Sequence, residues 1–409
     1  MPVRKRKDTS RFQGYYVGAD GKQRSKDFDR MGDAKRWVAE QERKVNRGEW
    51  TDPNAAKVTV DELWQKWLAT RSVKPSTREG YEEIYRSCIK PEWGGHRIDR
   101  ITPSEVQAWR ANMRGKPRKV KGKDGLTVMQ APLLSAGRRR KAYGVLASIL
   151  DMAVVDGRLT RNPVRQAAQN GSLPKVGTTK RHQYLTPAEV FSLGTACGEL
   201  AKAARLPEDV ADCLAAQTET LVLLLANTGL RWGEATALRV RDVEPIRSRI
   251  HVVQAYALVK GVPVLGTPKT HHVRQVPVPA FLRDQLTQAM AGKSPDDLLF
   301  ANPNGSPLDG NNFRKRIFKP AAKSLGHDGL TPHGLRHVAA SLAVTSGATV
   351  KGVQRMLGHA DASMTLNTYA DLFDGELDGV AVRMNAAFLN AQTDSGLTDA
   401  NSVIRLASS

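Results

Sequence analysis

A chain of 409 residues is long for one domain and suited to two or three, and its 40% hydrophobic content is enough to fill real cores. Its 62 Lys and Arg against 41 Asp and Glu give a net charge of +21 and a pI near 10.0, which favours a polyanionic partner, nucleic acid first, over a basic surface with no such partner. Cys88, Cys197 and Cys213 lack ligand-like spacing, which weighs against a disulfide framework or structural zinc; no apolar run approaches the ~18 residues of a bilayer span, and no signal-peptide core follows the basic Arg4–Lys7, so a cytoplasmic protein is expected.

Residues 1–55 read as a small β-sheet-plus-helix unit. Phe12, Tyr15, Tyr16 and Val17 precede the turn Ala19-Asp20-Gly21, and the extended pattern resumes from Arg24 to Phe28, which predicts a hairpin. A helix from Asp33 to Asn46 follows, with Ala34, Trp37, Val38 and Gln41 on one face and Gly48 as its stop. The hairpin carries Arg11, Lys22, Arg24 and Lys26; a β-ribbon so charged suits a major groove, the alternative being a solvated basic hairpin.

Residues 56–165 are helical by pattern. Thr59 with Glu62 and Ser76 with Glu79 are capping-box signatures, Thr102-Pro103-Ser104-Glu105 adds proline at the first helical position, and a fourth helix is expected from Ser135 to Val155. The aromatics of these helices are read as core. Between the last two helices lies a basic insertion, with Arg118, Lys119 and Lys121, followed by Arg138, Arg139 and Arg140; such a loop repels itself unless it meets phosphates, a solvated loop being the bland reading.

Residues 166–181, with Gly171, Pro174 and Gly177 and no periodicity, read as a linker. The next domain is placed at 182–390, opening on the cap Thr186-Pro187-Ala188-Glu189. Helices around Val210–Ala226 and Gly233–Leu238 flank Arg231, strands are expected at Arg249–Ala257, Val262–Leu265 and Gln275–Val278, and helices take the rest. Apolar residues from Gly379 to Leu389 suit docking on another protomer, and a polar tail, 391–409, ends the chain. The fold class is mainly α with small β elements, α+β.

The chemistry concentrates between Thr331 and Asp371. His333 and Arg336 stand three apart in a helical pattern, and His359 and Tyr369 follow. Upstream, Arg231 and Glu234 are also three apart, and Lys269 lies between two β-like runs. Cations that stabilise a phosphorane, imidazoles that move protons and a tyrosine hydroxyl together suit phosphoryl transfer to tyrosine. These pieces resemble the tyrosine recombinases, the phage-integrase family. Thr228-Gly229-Leu230-Arg231 matches the first arginine box and Lys269 the hairpin lysine; His333 to Arg336 matches the His-x-x-Arg box, Leu357-Gly358-His359 the Leu-Gly-His box, and Thr365 to Tyr369 the nucleophile box. The chain departs from the commonest pattern at Gly334 and Val338, neither a catalytic position of the family.

The resemblance implies that Tyr369 attacks DNA to form a 3′-phosphotyrosyl bond, with no metal and no cofactor. Arg231 and Arg336 would clamp the scissile phosphate, Lys269 protonate the departing 5′ oxygen, His333 assist proton transfer, His359 donate to the phosphate and Glu234 buttress the site. It further implies an arm-type DNA-binding domain at 1–55, a SAM-like core-binding domain at 56–165, and a homotetramer on double-stranded DNA carrying core-type and arm-type attachment sites. A host DNA-bending protein and an excisionase are accessory partners to be expected of an integrase. Three alternatives stay open: a zinc site from His333, His337 and His359, a DNA-binding regulator without catalysis, and a relaxing topoisomerase. Within the site, Lys260 competes with Lys269, and Tyr184 and Tyr256 with Tyr369.

Overall fold

The computed structural model describes residues 2–7, 9–48, 50, 55–121, 127–169, 183–202, 206–268, 273–373 and 376–394. They form two compact units, Met1–Thr179 and Lys180–Ser409. Helices dominate and the sheets are small, as the α+β reading expects.

In the first unit the expected hairpin, Phe12–Val17 with Gln23–Phe28, gains a third strand, Val3–Lys5, which pairs with Phe12–Val17 and makes it the centre of an antiparallel sheet. The basic start of the chain concealed this strand, because Arg4 and Lys5 carry no apolar alternation. The Met31–Asn46 helix lies across the sheet, with Ala34 and Val38 buried and Trp37 edge-on to buried Tyr16, ring centroids 5.3 Å apart. A Cβ on Gly14 of the central strand would come within 3.0 Å of Val38 Cγ2, so glycine there lets the helix approach.

The helices that follow pack around Leu63, Trp64, Ile84, Tyr85, Leu146 and Leu150, with the Trp64 and Tyr85 rings stacked at 4.1 Å, so these aromatics are core as expected. Val60–Ala69 and Pro103–Asn112 start on the predicted capping boxes, Thr59 with Glu62 and Thr102 with Glu105. The Ser76–Glu79 box does not cap a helix. Pro75 begins the Pro75–Ile84 helix two residues earlier than that box would, with Lys74 at the N-cap, since proline's fixed φ already suits the first helical position. The basic insertion folds back on itself, Arg118–Lys121 pairing antiparallel with Thr127–Gln130 and Val120 opposite Val128. A last helix, Pro163–Gln169, buries Val164 and Ala167 in the bundle, so the boundary expected at 165 falls inside it.

The second unit is built on the Glu208–Thr228 helix, in which Leu221 through Ala226 are all buried; a helix with no polar face over this stretch can only be an axis. Pro187–Lys202 and Gly334–Thr345 pack against it. The strand expected over Arg249–Ala257 divides at Val253–Gln254, where Gln254 Nε2 donates to the Ala237 carbonyl at 2.8 Å. Its first part, Arg249–Val252, is central in a three-stranded sheet between Arg274–Pro277 and Val243–Glu244. Its second part, Ala255–Val259, forms a separate hairpin with Val262–Gly266 through a two-residue turn, Lys260 (φ 50°) and Gly261 (φ 83°). Val350–Leu357 and Ala362–Phe373 carry the later motifs, and a final helix runs Glu376–Asp394, past the boundary expected at 390.

Candidate active site

The axial helix ends on Gly229, whose φ of 63° and close approach to Leu357, 2.4 Å from where a Cβ would sit, both require glycine. The chain then turns into Arg231, which caps the short helix Trp232–Ala235. Its backbone N–H donates to Glu234 Oε2 at 2.9 Å and its Nη1 to Oε1 at 2.7 Å. Glu234 is 1% exposed and takes a second guanidinium from Arg274, Nη1 to Oε1 at 3.1 Å and Nη2 to Oε2 at 2.7 Å. Burial alone would raise the Glu234 carboxyl; the Arg274 hydrogen bonds and charge, with those of Arg231, overcome it and hold the group down to about 2.

Arg336 is 4% exposed and joins two of the motifs, donating through Nη1 to the Gly229 carbonyl and through Nη2 to the Leu357 carbonyl, each at 2.6 Å. Burial, then the neighbouring Arg231 charge, lowers it to about 10, so it stays cationic at neutral pH. His333 stands exposed at the N-cap of the same helix.

The Val350–Leu357 helix ends on Gly358 at φ 66°, which turns His359 back over it: the His359 N–H donates to the Gln354 carbonyl at 3.1 Å, and Gln354 Nε2 to the His359 carbonyl at 3.2 Å. His359 Nδ1 lies 2.9 Å from the Oγ1 of fully buried Thr365, which fixes the ring and leaves Nε2 for a ligand. Burial, followed by the charges of Arg336, Arg231 and Arg274, lowers His359 to about 4, so it is neutral at pH 7. Beside it a groove of about 310 Å³ is lined by Arg274, Lys351, Gln354, Arg355, Gly358 and His359, a cationic lining suited to phosphate.

Tyr369 is 2% exposed, at a break in the Ala362–Phe373 helix where its own φ and ψ, −129° and 15°, leave the helical region. Its hydroxyl is 2.8 Å from His337 Nδ1. Burial pushes the phenol up to about 12, against the lowering effect of Arg336. His337 is thereby engaged with the phenol through the nitrogen nearest it, its ring 5.8 Å from that of His333.

Of the six catalytic candidates, Arg231, Arg336 and His359 are held in one hydrogen-bonded frame through Gly229, Leu357 and Glu234, with Tyr369 and His333 reached through the Gly334–Thr345 helix. Lys269 lies outside the described residues. Two further residues are built into it: Arg274, beyond the segment around Lys269 and not among the catalytic candidates, and His337, directly after Arg336, which the sequence offered only as a ligand of the alternative zinc site. Of the rivals, Lys260 is the first residue of an exposed hairpin turn and Tyr184 is 40% exposed.

The proposed DNA-contacting cations divide. Arg24 is tied to Asp20 at 2.7 Å and packs over Trp50, Arg11 pairs with Asp29 at 2.9 Å, Arg138 bonds Glu83, and Arg139 reaches the Arg110 and Ala111 carbonyls. Lys22, Lys26, Arg118, Lys119 and Arg140 are exposed, and the Lys121 side chain is outside the described set.

The model of the phage integrase family matches residues 184–376, and that of the phage integrase N-terminal SAM-like domain matches 59–113. The chain is 30% identical over 376 residues to the integrase of Mycobacterium phage D29, covering 88% of this chain and 89% of that protein. It belongs to the phage integrase family. It is 24% identical over 362 residues to a tyrosine recombinase XerC-like protein of Caldanaerobacter subterraneus, covering 81% of this chain and 84% of the other. A solved Tn1549 transposon integrase, in complex with transposon right end DNA, shares the fold at a TM-score of 0.60 and 22% identity over 80% of this chain and 99% of that one. As a family member the chain is a tyrosine site-specific recombinase. Guanidinium groups for a phosphate, a neutral imidazole donor and a phenol are the parts such an enzyme needs.

Proposed function

We propose that this recombinase integrates and excises phage or mobile-element DNA, cleaving each strand through a 3′-phosphotyrosyl bond to Tyr369. The observation that carries the reading is Arg336, whose two carbonyl bonds tie the Arg231 and His359 segments into one frame on the helix that also touches Tyr369. In this reading Arg231 and Arg336 clamp the non-bridging oxygens, where loss of one donor costs on the order of 3 kcal/mol in the transition state. His359 donates to the same phosphate, Glu234 and its two arginines hold the frame, and His333 faces the DNA as an acid–base assistant. Lys269 protonates the departing 5′ oxygen.

The assembly is a homotetramer on two double-stranded DNA sites, with residues 1–55 on arm-type sites, the helical bundle on core-type sites, and a host bending protein and an excisionase setting direction. Its place is the bacterial cytoplasm, consistent with the absence, among the described residues, of a helix long and apolar enough to cross a membrane. A nicked suicide substrate tests the nucleophile: Tyr369→Phe should bind the core site and form no covalent adduct, and an adduct formed by that variant would remove Tyr369 from the role.

A further inference from the structure

The resemblance gives the acid–base work to His333, yet the imidazole that meets the nucleophile is the next one along the helix. We propose that His337 is the general base of strand cleavage, taking the proton of the Tyr369 hydroxyl at its Nδ1 and returning it on ligation. The proposal rests on Tyr369 as nucleophile.

Three observations support it. The Nδ1 to hydroxyl distance is 2.8 Å, within the range for direct proton transfer. Both partners are held: His337 on the helix anchored by Arg336 beside it, Tyr369 at 2% exposure with its backbone bent out of helical geometry at that residue. A phenol this buried does not ionise unaided near neutrality, because burial raises it to about 12, so at pH 7 about one molecule in a hundred thousand would carry phenolate.

The transfer requires the His337 tautomer with its proton on Nε2, leaving the Nδ1 lone pair to accept. In cleavage the Tyr369 O–H bond breaks, the proton passes to Nδ1, and the phenolic oxygen forms a bond to the scissile phosphorus while the bond from phosphorus to the 5′ oxygen breaks. That oxygen takes its proton from a separate acid, assigned above to Lys269. In ligation the 5′ hydroxyl returns its proton to the amine that supplied it and bonds to the phosphorus, the bond from phosphorus to the phenolic oxygen breaks, and the imidazolium gives its proton to the departing phenolate. Charge and protons balance in both directions with no further reactant.

His337→Asn distinguishes a base from a positioning residue, because the amide occupies the Nδ1 place and can hydrogen-bond the hydroxyl but cannot hold its proton. With core-site binding within about twofold of the parent as the check on folding, single-turnover cleavage by His337→Asn should fall a hundredfold or more. A 5′-bridging phosphorothiolate should not restore it, since the sulfur relieves only the leaving group, and added imidazole should speed His337→Ala. Cleavage by His337→Asn within about threefold of the parent, full restoration on the phosphorothiolate, or no response of His337→Ala to imidazole would each overturn the assignment. Failure of the nucleophile reading looks different: Tyr369→Phe would then still form the adduct.

Discussion

Arg274 and Glu234 form a two-point ion pair under the site, and the same carboxylate holds Arg231 through both its backbone and its side chain. The pair spans 40 residues of sequence and joins the strand at Arg274–Pro277 to the first arginine motif. Arg274 Nε also reaches the Met356 carbonyl at 3.3 Å, so one side chain braces the supports of both Arg231 and His359.

Arg274→Ala should therefore leave a buried carboxylate with half its partners. Breaking a buried pair from one side costs roughly 3–5 kcal/mol, and Arg274→Lys should recover part of it as a single-point contact. Urea unfolding of the two variants measures the difference. Cleavage should fall more than core-site binding, because the loss is of geometry at the phosphate; equal stability of parent and Arg274→Ala would show that the pair contributes no net support.

Gly358→Ala tests the turn before His359. The position sits at φ 66°, and a Cβ would lie 2.9 Å from Arg274 Cδ, in a side chain that Glu234 prevents from moving aside. Left-handed backbone for a residue with a Cβ costs about 1–2 kcal/mol, and the collision adds to it. The expected outcome is a destabilised protein with strongly reduced cleavage. Unchanged cleavage kinetics would mean that His359 does not depend on this turn.

The pH dependence has a fixed sign. Glu234 titrates lower in the folded chain, about 2, than its ordinary 4.5, so its contribution is present above pH 4.5 and disappears as pH falls toward 2; the span corresponds to about 3 kcal/mol. His359, held neutral by burial and by the arginines, titrates at about 4 instead of 6.5, so the unfolded chain takes up its proton first and stability also declines as pH falls from 6.5 to 4. Urea midpoints of the second unit within the full chain should be flat from pH 7 upward through neutrality and fall below about pH 6.5. An NMR titration should find the His359 ring neutral at pH 6, and protonation near 6.5 would contradict the buried, arginine-flanked environment.

Lys269 as leaving-group acid has its own signature. Lys269→Ala should be slow on ordinary DNA and nearly restored on a 5′-bridging phosphorothiolate, whose sulfur departs without a proton. Equal loss on both substrates would move suspicion to Lys260 or His333.

What the sequence showed and what it withheld follow one physical distinction. Capping boxes at Thr59, Thr102 and Thr186 and the helix around Val210–Ala226 are set by interactions within a few residues, and these were legible. Ser76 and Glu79 misled because Pro75, also local, is the stronger start signal. The roles missed depend on distant pairing: Arg274 meets Glu234 across 40 residues and His337 meets Tyr369 across 32, whereas the one spacing His337 offered in sequence, four residues from His333, suggested a metal ligand. The basic insertion read as a loop because its charge masks the short strand register that sets Val120 opposite Val128.

The most direct test of the account is chemical mapping of the covalent intermediate. Parent protein trapped on a suicide core site, digested with protease and nuclease, should yield by mass spectrometry one phosphonucleotide-bearing peptide, modified at Tyr369. Modification at Tyr184, Tyr256 or any other residue would contradict the site as built here.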